Sequence, residues 1–111
     1  MVDLELDELR REFLDEAREK VMEMQSALDN APDGTALDRL AYLAHQLKGS
    51  GGSYGYQRIS TDAAALEKSV ESLAAREGES SSNERERMQQ YVTDLRTEID
   101  RAASELTSPE S

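Results

Sequence analysis

The sequence predicts an all-α fold, an antiparallel up-down-up-down four-helix bundle. In four separate segments, apolar residues recur at three- and four-residue steps, which is the spacing of one face of an α-helix. No segment shows the two-residue alternation of a half-buried strand. Short polar or glycine-containing stretches separate the four segments. Because no single segment can bury its own apolar stripe, packing the four together is the expected solution.

Four helices are expected within a single domain that spans residues 1–111. Each helix carries one stripe of apolar side chains that would face the bundle core. The helices lie at about residues 7–28, 36–54, 57–76 and 84–106, followed by a frayed tail at 107–111. The stripes consist of Leu14, Ala17, Val21, Met24 and Leu28; Leu37, Leu40, Leu43 and Leu47; Ile59, Ala63, Leu66, Val70 and Leu73; and Met88, Val92, Leu95, Ile99, Ala102 and Leu106.

The ends of these helices follow from local chemistry. Asp7 and Glu8 place negative charge where the first helix has the positive end of its dipole. The stretch 30–34 contains a proline followed by Asp-Gly and predicts a turn. Gly55 is expected to break the second helix from the third, and the polar, serine-rich stretch 77–83 predicts a loop.

Composition and charge argue against several functions. The net charge of −11 lacks the basic footprint that nucleic acids or anionic membranes require. There is no cysteine, which excludes disulfides and thiolate metal sites, and one histidine offers too few nitrogen ligands for a catalytic metal. No stretch resembles a secretory signal or a membrane span, so a cytoplasmic location is the expectation. We expect a monomer that needs no cofactor or metal.

The most informative stretch is 44–52, which holds the only histidine, His45. At about 100° per residue, His45 lies about 140° from Leu40 and therefore outside the apolar stripe of the second helix. Lys48 follows one turn along, and Gly49 and Gly52 lie on either side of the histidine. The pattern predicts an exposed imidazole with a cation and bare backbone beside it.

Spacing alone leaves other interpretations open. The helix could end within the glycine run, with Gly49 or Gly51 as its C-cap. Alternatively, the helix could continue to about residue 54, and the glycines would then let another surface approach the histidine. His45 could also be an incidental surface residue of a non-catalytic adaptor bundle.

Residues 45–56, His-Gln-Leu-Lys-Gly-Ser-Gly-Gly-Ser-Tyr-Gly-Tyr, resemble the His-x-Leu-Lys-Gly-Ser/Gly-x-x-x-x-Gly signature of histidine phosphotransfer (Hpt) domains. The resemblance covers about residues 5–106. It implies an all-helical bundle whose exposed histidine carries a phosphoryl group. Family members commonly carry Glu or Gln on the next helix, and this position falls on Glu67, which periodicity alone would leave an ordinary surface glutamate.

The resemblance implies a role for each residue of the site. His45 would accept the phosphoryl group, since a neutral imidazole is a good nucleophile toward phosphorus. Glu67 would hold the other ring nitrogen, and Lys48 would offset charge on the phosphoryl oxygens. Arg58 is a weaker candidate for the same charge-offsetting role. Among the glycines, Gly49 and Gly52 would leave room for a docking receiver domain.

The chain is expected to carry phosphoryl groups without being an enzyme. It has no phosphate-cradling glycine loop with a Walker lysine and no nucleotide-binding lobe. The resemblance therefore implies two partners in a two-component phosphorelay, a histidine kinase and a response-regulator receiver domain. It also leaves open that the chain is the N-terminal phosphotransfer domain of a chemotaxis-type histidine kinase.

Overall fold

The computed structural model describes residues 4–29, 34–75 and 82–107, and these form four helices. They are α1 (Leu4–Asp29), α2 (Gly34–Ser53), α3 (Gln57–Ala75) and α4 (Ser82–Thr107). No strand occurs in these ranges. The prediction of an all-α four-helix bundle is confirmed.

The four predicted apolar stripes pack against one another and form the core of the bundle. Its buried residues are apolar throughout, and no polar or charged residue in the described ranges is fully buried. Each helix packs against two neighbours, in the order α1, α2, α3, α4 and back to α1, and the described backbones do not approach closely across the diagonals. Burial of leucine, isoleucine and valine side chains stabilises such a bundle by roughly 1.5–3 kcal/mol for each. Polar chemistry is thereby confined to the outside of the bundle.

The helices extend slightly beyond most of their predicted ends. The first helix begins at Leu4 and not at residue 7, and the second begins at Gly34. The tail was expected to fray from residue 107, but Thr107 is still helical. Three predicted features lie wholly or mostly outside the described residues. They are the end of the third helix at residue 76, the turn at 30–34 with the loop at 77–83, and the rest of the tail.

The second helix runs without interruption through Gly49–Gly52 and ends at Ser53. Gly55, with φ of +85°, provides the left-handed residue that stops it. The Gly55 amide donates to the carbonyl of Gly52 (3.2 Å), and the Tyr56 amide donates to that of Gly51 (2.8 Å). This pair of bonds is the Schellman motif. Gly49 and Gly51 are therefore not C-caps.

Two tyrosines fix the corner between α2 and α3. The rings of Tyr54 and Tyr56 stack against Phe13 of α1, with centroid separations of 5.1 and 5.8 Å. Because these residues flank Gly55, the stacks hold the turn against the bundle end. The position of α3 beside α2 is thus set by both the turn and its packing.

None of the described helices combines the length and the apolar character needed to cross a bilayer.

Candidate functional site

His45 stands on the outer surface of α2, and its side chain is 65% exposed. Its Nδ1 lies 3.0 Å from Oε2 of Glu67, which is on α3. The hydrogen bond joins two helices at 22 residues' separation, so the orientation of the ring depends on how α2 and α3 pack. The imidazole is therefore exposed on one side and hydrogen-bonded to α3 on the other.

The Glu67 carboxylate is shared between two donors. Its side chain is only 15% exposed, and its second oxygen, Oε1, lies 2.9 Å from Nζ of Lys48. The hydrogen bond from Lys48, assisted by the one from His45, lowers the pKa of Glu67 against the opposing effect of partial burial. Glu67 is therefore an anion near neutral pH and acts as an acceptor toward both neighbours.

The anionic state of Glu67 determines the tautomer of the neutral imidazole. A carboxylate only accepts hydrogen bonds, so Nδ1 of His45 must carry the proton that it donates. The lone pair of the neutral ring is then on Nε2. Nε2 makes no hydrogen bond within the described ranges. The nitrogen that can act as a nucleophile is the one turned away from Glu67.

A second contact, which was not predicted from the sequence, joins α2 to α3 at Lys48, one turn beyond His45 on α2. The hydroxyl of Ser60 donates to the backbone carbonyl of Lys48 at 2.8 Å. Ser60 precedes Glu67 by seven residues, so the two lie about 20° apart on one face of α3. That seven-residue spacing is the signal in the sequence that could have identified Ser60.

The close approach of α2 and α3 leaves little room for a side chain at Gly51. A Cβ built on Gly51 would lie 3.2 Å from the backbone nitrogen of Ser60 and 3.3 Å from Cγ2 of Ile59. Gly51 is buried in this contact. Gly51 was expected either to cap the helix or to leave room beside the histidine with the other glycines, whereas in the structure it allows α2 and α3 to pack closely.

Gly49 and Gly52 lie on the exposed outer side of the same turns. A Cβ on Gly49 would meet nothing within 4 Å, and one on Gly52 would meet only the Ser60 hydroxyl oxygen at 3.6 Å. These two glycines therefore leave open space beside His45 without being needed for the packing of the bundle.

The structure does not bring Arg58 to this site. Arg58 precedes Glu67 by nine residues, which places it about 180° away around α3. Its Nη1 lies 3.7 Å from Oε1 of Glu98, on α4. The expectation that Arg58 offsets charge near His45 is therefore wrong, because its side chain faces the α3–α4 groove.

The aromatic side chain of Tyr42, which was not predicted to belong to the site, lies on the opposite side of His45 from Lys48. Tyr42 is one turn before His45 and is 51% exposed. Its hydroxyl accepts a hydrogen bond from Gln46 at 2.8 Å, and the Arg39 guanidinium lies 5.4 Å from its ring centroid. Arg39 in turn donates hydrogen bonds from Nε and Nη2 to the two carboxylate oxygens of Glu23 on α1. The three-residue spacing of Tyr42 and His45 could have indicated that they are neighbours.

In the ranges that the structure describes, no three His, Asp or Glu side chains converge to hold a metal ion. The site as built consists of one nucleophilic nitrogen, one carboxylate and one ammonium group. This arrangement can accept an electrophilic group at His45 Nε2.

Comparisons with known proteins identify the family to which this chain belongs. Neither a comparison with curated proteins nor one with solved structures gave a match. The family profile described as "Hpt domain" matches residues 8–105, which is most of the chain. Since this match includes all four helices and the histidine site, the chain belongs to the Hpt domain family.

Proposed function

We propose that this chain is a phosphoryl carrier of a two-component phosphorelay, with Nε2 of His45 as the acceptor atom. Hpt domains carry phosphoryl groups and exchange them with histidine kinases and response regulators. The observation that supports this role most directly is the exposed imidazole whose Nδ1 lies 3.0 Å from a carboxylate oxygen of Glu67. We include a cytoplasmic site of action, because ATP-dependent kinases supply the phosphoryl group.

The proposed transfer step is a direct displacement at phosphorus. The Nε2 lone pair forms the N–P bond while the bond from phosphorus to the aspartyl oxygen of a phosphorylated receiver breaks, and its electron pair leaves on the receiver carboxylate. The ring retains its Nδ1 proton and becomes cationic. Glu67, already hydrogen-bonded to that proton, stabilises the developing positive charge. Reversal of the same step returns the phosphoryl group to a receiver.

Lys48 supplies the positive charge on the phosphoryl side of the ring. Its Nζ bonds to Glu67 and its side chain is 40% exposed, so it remains within reach of the space beside His45. An ammonium group can rotate its three donors from the carboxylate toward phosphoryl oxygens without a change of backbone. Lys48 thus connects the orienting carboxylate with the incoming group.

The identity of the acceptor is tested with phosphoramidate, a small phosphoryl donor that needs no protein partner. We expect acid-labile label on the wild-type chain and none on His45→Gln, with equal helicity of both by circular dichroism. Label that is stable to acid, or label that survives in His45→Gln, would show that His45 is not the acceptor. Absence of label from the wild-type chain would favour an adaptor bundle.

Glu67→Ala tests the orienting carboxylate. We expect phosphoryl acceptance to slow by about 10- to 100-fold, corresponding to the ~1.5–3 kcal/mol of a hydrogen bond to a charged group. The nitrogen chemical shifts of the single imidazole should show a loss of the Nδ1–H tautomer. Glu71→Ala is the matched control, since Glu71 lies one turn away on α3 and is exposed. An unchanged rate and tautomer in Glu67→Ala would remove Glu67 from the mechanism.

A further inference from the structure

We propose that two copies of this chain pair through the groove between α1 and α4, with Arg96 of each copy opposite Asp29 of the other. This α1–α4 groove has a volume of ≈ 670 Å³, and both of these residues line it. The dimer is independent of the proposed function of His45. It gives a role to a surface that the phosphoryl site does not use, and it takes the place of the expected monomer.

An exposed methionine stands in the middle of the α1–α4 groove. Met22 of α1 is 72% exposed, which makes it the most exposed large apolar side chain in the described ranges. The buried side chains of Val21, Val92 and Ile99 line the groove beside it. A thioether side chain is flexible and can fill irregular space when another surface covers it. The groove therefore offers apolar area whose removal from water would favour association.

The charges in the groove are balanced, although the chain as a whole is strongly acidic. The charged lining residues are Arg18, Arg96, Asp29 and Asp100, two of each sign. In the α1–α2 and α3–α4 grooves, by contrast, acidic lining residues outnumber basic ones. Two copies that each carry a net charge of −11 repel one another least when they meet through a face without net charge. The balance favours a second copy over a strongly charged partner as the occupant.

One charge of each sign in the groove has no counter-ion among the described residues of its own chain. Arg18 is paired with Asp100 at 3.1 Å. Arg96, in contrast, is exposed and makes no hydrogen bond or ion pair with any described residue. Asp29 accepts a hydrogen bond from Gln25 at 2.9 Å but has no ion pair with a described residue. A two-fold interface can pair such a cation and anion reciprocally, so that the same contact forms twice.

The two unpaired charges lie at different levels of the groove. Gln25 and Gln89 exchange hydrogen bonds at 2.8 and 2.7 Å and thereby fix the antiparallel register of α1 and α4. Arg96 lies about 10 Å from that level along α4, and Asp29 lies about 6 Å from it in the opposite direction along α1. A two-fold axis in the interface, midway between Arg96 and Asp29 and at right angles to the line joining them, puts each opposite its counterpart. Met22 lies between these two levels and therefore near the centre of the interface.

Pairing through this groove leaves the phosphoryl site of each copy open. Each helix packs against its neighbours in the order α1, α2, α3, α4, so the face formed by α1 and α4 is opposite the one formed by α2 and α3. His45 and Glu67 belong to the α2–α3 face. Both histidines of the dimer are therefore exposed, and a small phosphoryl donor should label them as fast as those of a monomer.

The test is a charge swap between two variants that should each fail to self-associate. Arg96→Glu and Asp29→Arg each replace both attractive contacts of the dimer with repulsive ones. We expect the dissociation constant of the dimer, measured by sedimentation equilibrium, to rise about tenfold in each. An equimolar mixture of the two variants restores opposite charges at both contacts. A heterodimer with about the wild-type dissociation constant should form in that mixture.

Matched variants separate pairing from folding. Met22→Glu should also weaken the dimer, whereas Leu9→Glu should match wild type, since Leu9 is an exposed apolar residue of α1 outside the groove. Helicity by circular dichroism and the rate of labelling by phosphoramidate should be the same in all four variants as in wild type. A wild-type chain that stays monomeric at millimolar concentration overturns the proposal. So does a mixture of the two charge variants that associates no better than either alone, or an equal loss of pairing in Leu9→Glu.

Discussion

The outer and inner faces of the last two turns of α2 use the same amino acid for opposite purposes. On the outer face, Gly49 and Gly52 would offer an added methyl group open space or an ordinary contact. On the inner face, Gly51 already touches the backbone of α3 so closely that a methyl group would be crowded. The comparison shows that a glycine run in a helix can combine open space on its outer face with tight packing on its inner face.

Glycine also affects the stability of the folded chain differently on the two faces of α2. Each helical glycine destabilises a helix by roughly 0.5–1 kcal/mol relative to alanine. At Gly51 the close approach of α3 offsets that cost, whereas at Gly49 and Gly52 no contact does so. The outer glycines therefore lower the stability of the helix without a compensating contact, which is what the proposed docking role would require of them.

Gly55→Ala should have the largest effect, because it removes the turn on which both faces depend. The positive φ of Gly55 forces an alanine into the left-handed region, at a cost of about 1–2 kcal/mol. Thermal or urea unfolding measures this loss. Gly55→Asn is the matched variant and should lose less, since asparagine tolerates this conformation. Equal stability of Gly55→Ala and wild type would mean that the turn can rearrange freely.

Gly52→Gln should obstruct the outer face while leaving the fold intact. We expect phosphotransfer from a receiver domain to fall about tenfold, the equivalent of ~1.4 kcal/mol, because a long side chain occupies the space beside His45. The melting temperature should stay level or rise, since a mid-helix glycine is replaced. If transfer falls only in proportion to a loss of helix, the docking role of Gly52 is contradicted.

Gly51→Ala and Gly49→Ala give the smallest effects and the sharpest contrast. At Gly49 we expect a gain of roughly 0.5–1 kcal/mol in the free energy of unfolding, as for any exposed helical glycine. At Gly51 crowding against α3 costs ~1–3 kcal/mol and outweighs that gain, so a net loss of about 1 kcal/mol is expected. Urea unfolding of both variants measures the signs. Two changes of the same sign would show that the faces are not distinct.

The fold was predictable because it depends on a pattern repeated along the whole chain. Every stripe residue from Leu14 to Leu28 is buried, as are the central residues of the other three stripes. Many side chains contribute to each helix, so no single ambiguous residue changes the result. The helix ends were predicted less well, since each depends on only one or two local contacts.

The site was predictable only in part. His45, Lys48 and Glu67 are brought together as expected, because two of them are one turn apart and the third falls on a recognisable family position. Their chemical roles remain predictions. Arg58 was misplaced, since a residue close to the turn in sequence can still face a different helix. Tyr42 was missed although its three-residue spacing from His45 places the two side chains next to each other on α2.

Under the proposed function, the sharing of Glu67 between His45 and Lys48 has a consequence for the direction of phosphoryl transfer. Before phosphorylation Lys48 already has an anionic partner, so its gain on meeting the phosphoryl group is only the difference between two ion pairs. The phosphorylated state is then stabilised modestly, and the reverse transfer stays accessible. A chain that held its phosphoryl group with an otherwise unpaired lysine would be a trap, whereas this arrangement suits a reversible intermediate whose flux follows the concentrations of donor and acceptor.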